Sequence, residues 1–258
     1  MNDTLQIGPP PPMRIEWGRA FRAIRALLAD PDRTELAFEA VSAVSARDFE
    51  RLFQRFINDP EGRRLFLDRP SLLAALSDRP RLRAMPEGSF GRAYAAFMDA
   101  AQLTPDGLVE ADLASEEAMG LDYRDEDRRW FSERLRDMHD LWHVLSGYGR
   151  DEAGEAANLA FSYAQMRFRG IALILIAAAL LEPHGNRFAW PRYLVNAWRR
   201  GCRTRPLVLA RYEELLERPL DEVRRALAIE PPSIAHPEGV VIAHRRSRAA
   251  MAAMASAG

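Results

Sequence analysis

Apolar positions recur at helical spacing along most of the chain. In residues 15–29, Trp17, Phe21, Ile24 and Leu28 fall on one face of a helix, and Pro31 marks the break after it. "TELAFEAVSAVSA" (34–46) and "RDFERLFQRFIND" (47–59) continue the pattern, the second with Phe49, Leu52, Phe53 and Phe56 on one side. Pro60, Pro70 and Pro80 punctuate shorter helical pieces that follow, up to "SDRP" at 77–80. A long amphipathic helix is predicted over 126–145 and a second over about 152–182. Between them "SGYGRDEAG" supplies glycines for a turn, so the two helices should lie antiparallel. Further helices are predicted over 189–200, 205–217 and 219–228, before "EPPS" opens a tail. No stretch shows the strict period-two alternation of a half-buried strand, so the expected fold is all-α.

Composition narrows the chemistry. A formal net charge of −1 over 258 residues gives no electrostatic bias towards nucleic acid. All 36 basic residues are arginine, which removes Schiff-base chemistry and a phosphate-loop lysine. Cys202 is the single cysteine, so neither an internal disulfide nor a cysteine-based zinc site forms within one chain, and any metal rests on His, Asp and Glu. The N-terminal "MNDTLQIGPPPPMRIEW" shows no basic region followed by an apolar run; a cytoplasmic location is expected. The apolar run "IALILIAAALL" at 171–181 would cover only roughly half of a hydrocarbon core as a helix. There is no internal repeat, long heptad run or glycine-rich phosphate loop.

The stretch "HDLWHVLSGYGRDEAGE" (139–155) stands apart. At 100° per residue, His143 and Asp140 lie about 40° and 100° round the helix from His139, so the three share one arc. That arc borders a core stripe made by Phe131, Leu135, Met138, Trp142 and Leu145. Reversal through Gly147, Gly149 and Gly154 brings Glu155 back towards the histidines. Imidazole and carboxylate ligands suit zinc, iron, manganese or cobalt, and a set without thiolate points to a working site with open coordination positions. The competing reading is a surface histidine pair with acidic neighbours. The other histidines form no further spaced metal motif, which disfavours a metal-dependent phosphohydrolase.

His139, Asp140, His143 and Glu155, as HDxxH, eleven residues and Glu, resemble the signature of the Coq4 family of ubiquinone biosynthesis proteins. The likeness extends to "MPEGSFGRAYAAFMDA" (85–100), where Gly88, Ser89, Gly91 and Tyr94 fit and Phe90 replaces the usual leucine. It also takes in Gln165, ten residues after Glu155, and "RPLVLARYEELLERPLDEVRRALAI" with Tyr212 and Glu213. On these motifs it covers roughly residues 80–230. The expected organisation is an N-terminal helical extension (1–79), a Coq4-like helical domain for metal and prenyl lipid (80–230) and a C-terminal tail (231–258).

The resemblance implies an all-helical protein holding a divalent metal (zinc, or iron, cobalt or manganese) through His139, Asp140, His143 and Glu155. The implied reaction is oxidative decarboxylation at C1 of a polyprenylated benzoate-type coenzyme Q precursor. The alternative is a non-catalytic prenyl-lipid-binding scaffold that organises the other coenzyme Q biosynthesis proteins. Ser89, Tyr94, Gln165 and Arg169 are the candidates for substrate contact, with Ser89 also placed to cap the helix that follows it. A prenyl tail needs an apolar channel, for which Leu159, Met166, Ile171, Leu173, Ile174, Leu175 and Ile176 offer side chains, although such a helix is more often plain core. Arg192, Arg199, Arg200, Arg203 and Arg205 surround Trp190, Tyr193 and Trp198, either as a surface meeting anionic lipid on the cytoplasmic face of the inner membrane or as a solvated helix face. A homodimer is the expected assembly.

Overall fold

The computed structural model describes residues 7–10, 14–29, 33–100, 125–181 and 189–230. The break at Pro31 and the tail over 231–258 lie outside the described residues. Twelve α-helices and one 3₁₀ turn form an all-helical domain without strands among the described residues. In chain order the helices are α1 (Trp17–Ala29), α2 (Thr34–Asn58), α3 (Pro60–Asp68), α4 (Leu72–Ser77), α5 (Arg79–Ala84) and α6 (Phe90–Ala100). Then come α7 (Glu126–Ser146), α8 (Glu152–Met166), α9 (Arg169–Leu181), α10 (Ala189–Arg203), α11 (Tyr212–Leu215) and α12 (Leu220–Ala226).

The punctuation of the first third acts through helix starts. Asp59 accepts from Glu61 N at 2.9 Å with Pro60 opening α3, Ser71 accepts from Ala74 N at 3.1 Å, and Asp78 accepts from Arg81 N at 3.1 Å beside Pro80. The two runs expected at 34–46 and 47–59 fuse into α2, because nothing between Ala46 and Arg47 breaks a helix.

Two expected helices come out differently. The single helix predicted over 152–182 is divided at Arg167, which takes a left-handed conformation (φ 57°) and ends α8. The new helix start is satisfied from α2: Asp48 Oδ2 accepts from Arg169 N at 2.9 Å and Ser45 Oγ from Gly170 N at 3.0 Å. A Cβ on Gly170 would lie 2.3 Å from Val41 Cα, so α9 crosses α2 with the backbones nearly touching. The helix predicted over 205–217 becomes a 3₁₀ turn (Leu207–Leu209) and the short α11, because Gln165 Oε1 takes Leu207 N at 2.9 Å and Arg134 Nη2 takes Ala210 O at 3.0 Å.

The main core joins Leu52, Phe53, Phe56, Leu65 and Leu72 to Phe131, Met138, Leu141, Phe161, Leu194 and Tyr212, so α2–α4 share one interior with α7, α8 and α10. Smaller clusters seat α1 on α2 and α9 through Ala20, Ile24, Ala40 and Ile174. In α9, Ile171 and Ile174 are core while Ile176 is exposed, which gives that helix a packing role first. Trp190 and Tyr193 are likewise buried, and buried Arg200 donates to the carbonyls of Ser146 and Glu230. The aromatic and basic residues around 190–205 therefore do not form one continuous surface. Among the described residues no helix is long and apolar enough to cross a membrane.

Candidate metal centre

α7 carries both histidines because its sequence anchors it on several sides. Arg128 is paired with Glu50 of α2 at 2.7 Å, Arg134 with Glu213 of α11 at 2.7 Å, and Trp142 Nε1 donates to Tyr212 Oη at 2.8 Å. The last turn ends at Gly147, in the left-handed region at φ 78°, with its N–H donating to His143 O at 2.9 Å. Arg224 donates to the Val144 and Leu145 carbonyls at 2.9 and 3.1 Å, so guanidinium groups cover the negative end of the motif helix. α8 then starts at Asp151, whose carboxylate accepts from Gly154 N at 3.0 Å. A Cβ at Gly154 would sit 2.1 Å from Gly149 O, so the tight reversal requires glycine there. Glu155 lies one turn into α8 and returns to α7.

His139, His143 and Glu155 converge, with one potential ligand atom from each lying within 4.8 Å of the others. His143 Nε2 is 3.2 Å and His139 Nε2 3.9 Å from Glu155 Oε2, and the rings meet edge to face with centroids 4.8 Å apart. The second nitrogen of each ring is already engaged. His143 Nδ1 donates to the Tyr148 carbonyl at 3.0 Å and His139 Nδ1 to Asp140 Oδ1 at 3.3 Å. In the neutral imidazoles this leaves an Nε2 lone pair on each ring directed at a carboxylate. Two acceptors facing each other need a proton or a cation between them.

His143 is buried, and its Nε2 lacks a hydrogen-bond partner among the described residues despite the nearby carboxylate. Phe97 of α6 stacks on its ring at 5.5 Å between centroids, sealing the apolar side. For bonds of about 2.1 Å, tetrahedral ligand atoms stand about 3.4 Å apart, so small side-chain rotations would close these three on an ion. The residues fit a divalent metal: two imidazole nitrogens, one carboxylate, and outer hydrogen bonds that hold both rings.

Electrostatics follow the same geometry. Burial acts to raise the Glu155 carboxyl, but His143 beside it, with His139 and Arg150, holds it below its ordinary range. Asp140 is likewise pushed up by burial and brought lower overall by its hydrogen bond to His139. Burial acts to lower the His139 imidazole, and the bond to Asp140 with the charges of Asp140 and Glu155 raises it overall.

Asp140 does not join the converging trio; it stands behind His139 and orients it. Tyr94 is buried on α6, in the electrostatic neighbourhood of Asp140. Ser89 caps α6 by accepting from Arg92 N at 3.3 Å. Gln165 bridges Gly201 O (2.7 Å) and Leu207 N (2.9 Å), and Arg169 meets Asp48 at 3.6 Å, so these two side chains are engaged in joining helices. Sequence reasoning missed the Tyr148 carbonyl, Phe97, and Arg150, whose Nε lies 3.9 Å from Glu155 Oε1. Only Arg150 left a signal, as a basic residue inside the reversal between the two motif helices.

Comparison with known proteins bears on the family and the fold. The profile of a family described as "Coenzyme Q (ubiquinone) biosynthesis protein Coq4" matches residues 17–233, a span that includes the N-terminal helices beyond the reach of the quoted motifs. A relative from Aspergillus terreus, "Ubiquinone biosynthesis protein coq4, mitochondrial", is 32% identical over 81% of this chain and 70% of its own length. The corresponding protein of Pyricularia oryzae is 31% identical over 87% of this chain and 74% of its own. A crystal structure of a candidate ubiquinone biosynthesis protein from Nostoc punctiforme superposes with a TM-score of 0.61 at 20% identity, over 84% of this chain and 99% of that one, which establishes likeness of fold. The expected cytoplasmic location, including the cytoplasmic face of the inner membrane, is overturned, because the fungal relatives are named as mitochondrial proteins. That expectation rested on what the first residues lack, and a missing leader pattern is not an address.

Proposed function

The chain belongs to the Coq4 family of ubiquinone biosynthesis proteins, and from that premise we propose that it is a divalent-metal-dependent enzyme of the pathway. The proposed reaction removes the C1 carboxyl group of a polyprenylated benzoate-type precursor as carbon dioxide and installs a hydroxyl. Molecular oxygen is the oxidant, taking the two electrons the ring loses, so that the acid, oxygen and one water give the phenol, carbon dioxide and hydrogen peroxide. The observation that carries the reading is the pair of fixed imidazoles directing Nε2 lone pairs at the Glu155 carboxylate.

His139, His143 and Glu155 would hold the ion, with zinc, iron, cobalt and manganese all suited to this donor set. The bound ion supplies Lewis acidity towards a ring oxygen substituent. Asp140 and the Tyr148 carbonyl keep the two rings in the tautomer that binds, and Phe97 shields His143 from water. Work alongside the other coenzyme Q biosynthesis proteins belongs to the same reading.

The test is turnover of a prenylated hydroxybenzoate by purified protein loaded with each metal, under oxygen and under nitrogen. Product that has lost its ring carboxylate, formed only with metal and oxygen and absent from the His139→Ala protein, is the expected result. Metal-independent behaviour, with prenyl lipid bound equally well by His139→Ala, would instead favour the scaffold.

A further inference from the structure

Four arginines are buried among the described residues, and three of them are provided for. Arg128 has the carboxylates of Glu50 and Asp125, Arg134 has Glu213 and the Ala210 carbonyl, and Arg200 has the carbonyls of Ser146 and Glu230. Arg79, at the start of α5, is the exception. Its side chain is 7% exposed, yet Nη1 and Nη2 have no hydrogen-bond partner among the described residues. The one carboxylate in reach is Asp99, with Oδ1 3.8 Å from Nη1, and Asp99 is already held by both prongs of Arg83 at 2.8 and 3.1 Å. The Arg79 guanidinium also lies over the Tyr94 ring, 5.7 Å from its centroid. A ring face recovers only a small part of the hydration that a buried cation gives up.

The position of this cation matters. Tyr94 and Phe97 are three residues apart on α6 and so share a face of that helix, and Phe97 is the residue stacked on His143. Arg79 thus lies against, through Tyr94, the face of α6 whose Phe97 covers His143 of the metal trio. The Tyr94 hydroxyl reflects this: burial first and the Asp140 charge next raise its pKa, with Arg79 acting against them.

We propose that Arg79 is a substrate-binding residue whose paired terminal nitrogens take a carboxylate group of the ligand that occupies the His139, His143 and Glu155 site. This rests on the function proposed above, and deepens it by assigning the anionic end of the substrate to a residue outside the metal motif. Arginine suits the task because its planar fork donates two parallel hydrogen bonds to a carboxylate, which fixes the orientation of a benzoate ring as well as its position.

The experiment measures binding to the full-length protein, metal-free and zinc-loaded, of a geranylated hydroxybenzoate and of the matched geranylated phenol without its carboxylate. The unaltered protein should prefer the benzoate by at least about tenfold, as a charge-assisted bidentate pair implies. Arg79→Met should erase that preference while leaving the phenol affinity and the zinc affinity unchanged, and Arg79→Lys should keep a fraction of it. If Arg79→Met does not fold, Arg79→Lys decides, because it retains the charge but not the fork: a reduced preference supports the assignment and an undiminished one overturns it. No preference in the unaltered protein, or a preference that survives Arg79→Met, also overturns it. Absence of turnover counts against the metal-dependent reaction and leaves the carboxylate preference, which is read by binding alone, to stand or fall separately.

Discussion

At the scale of single residues, the site is defined by which nitrogen each imidazole is free to offer. The Tyr148 carbonyl and the Asp140 carboxylate occupy the two Nδ1 atoms, so both rings present Nε2 to Glu155. Replacing His143 by alanine removes one of three converging donors, and zinc binding followed by calorimetry should fall below detection. Asp140→Asn leaves the trio intact but takes away the charge that raises His139 and steadies its ring. Its expected effect is smaller, a loss of about 10- to 100-fold in zinc affinity, the usual cost of disturbing a hydrogen bond behind a metal ligand. An unchanged affinity in Asp140→Asn would remove the orienting role. The histidines and Glu155 were legible in the sequence because helical spacing and a glycine reversal suffice to bring them together. The Tyr148 carbonyl was not, since a backbone acceptor depends on the path of the loop and is blind to the side chain above it. Gln165 and Arg169 show a second role the motif reading did not include, since polar side chains in a motif region also tie helices together.

At the scale of elements, the helices meet through few but demanding contacts. Gly170 allows α9 to lie against α2 with Val41 Cα 2.3 Å from where a Cβ would be. Gly170→Ala must push the two backbones apart and should destabilise by about 1–3 kcal/mol in denaturant unfolding. Arg167 provides the converse case: it holds φ at 57° to end α8, and Arg167→Gly should relieve that strain and stabilise by about 0.5–1 kcal/mol. The join between α2 and α7 depends on pH. Burial acts to raise the Glu50 carboxyl, and the Arg128 hydrogen bond, helped by Gln54, brings it below its ordinary value. A carboxyl depressed in the folded state contributes stability that is complete above its unfolded pKa and is lost as pH falls through the folded one. Stability should therefore decline on acidification from about pH 4.5 downwards, and Glu50→Gln should flatten that decline in thermal scans taken across the acid range. An equal acid loss in Glu50→Gln would remove this pair from the explanation.

At the scale of the whole molecule, the all-helical class could be read from periodicity and the return of Glu155 to the histidines from the glycine reversal, whereas the way the chain closes on itself could not. The expected helix over 205–217 dissolves because Gln165 and Arg134 claim backbone groups that a helix would have kept, and partners at such sequence distance leave no trace in a local pattern. The same long-range logic governs Arg200. Its apolar neighbours and the aromatic residues nearby suggest a surface for lipid, yet it lies buried over the rings of Tyr148 and Phe161 and donates to Ser146 O at 2.9 Å and to Glu230 O at 3.0 Å. It therefore ties the last turn of the motif helix, and the Tyr148 segment that fixes His143, to the C-terminal end of the described chain. Arg200→Met would fill much of the same space while leaving those carbonyls without donors, at a cost of about 1–3 kcal/mol. For a chain of this size that corresponds to a fall in melting temperature of roughly 2 to 10 °C. If the link reaches the site as the geometry implies, zinc affinity should weaken in the same variant, because the Tyr148 carbonyl no longer has a rigid seat. Arg203→Met is the matched control: Arg203 meets Glu230 through an exposed pair at 3.4 Å, which is expected to contribute little. A stability loss in Arg200→Met with zinc affinity equal to that of the control would confine Arg200 to packing, and a joint loss would show that the C-terminal helices hold the metal centre in shape.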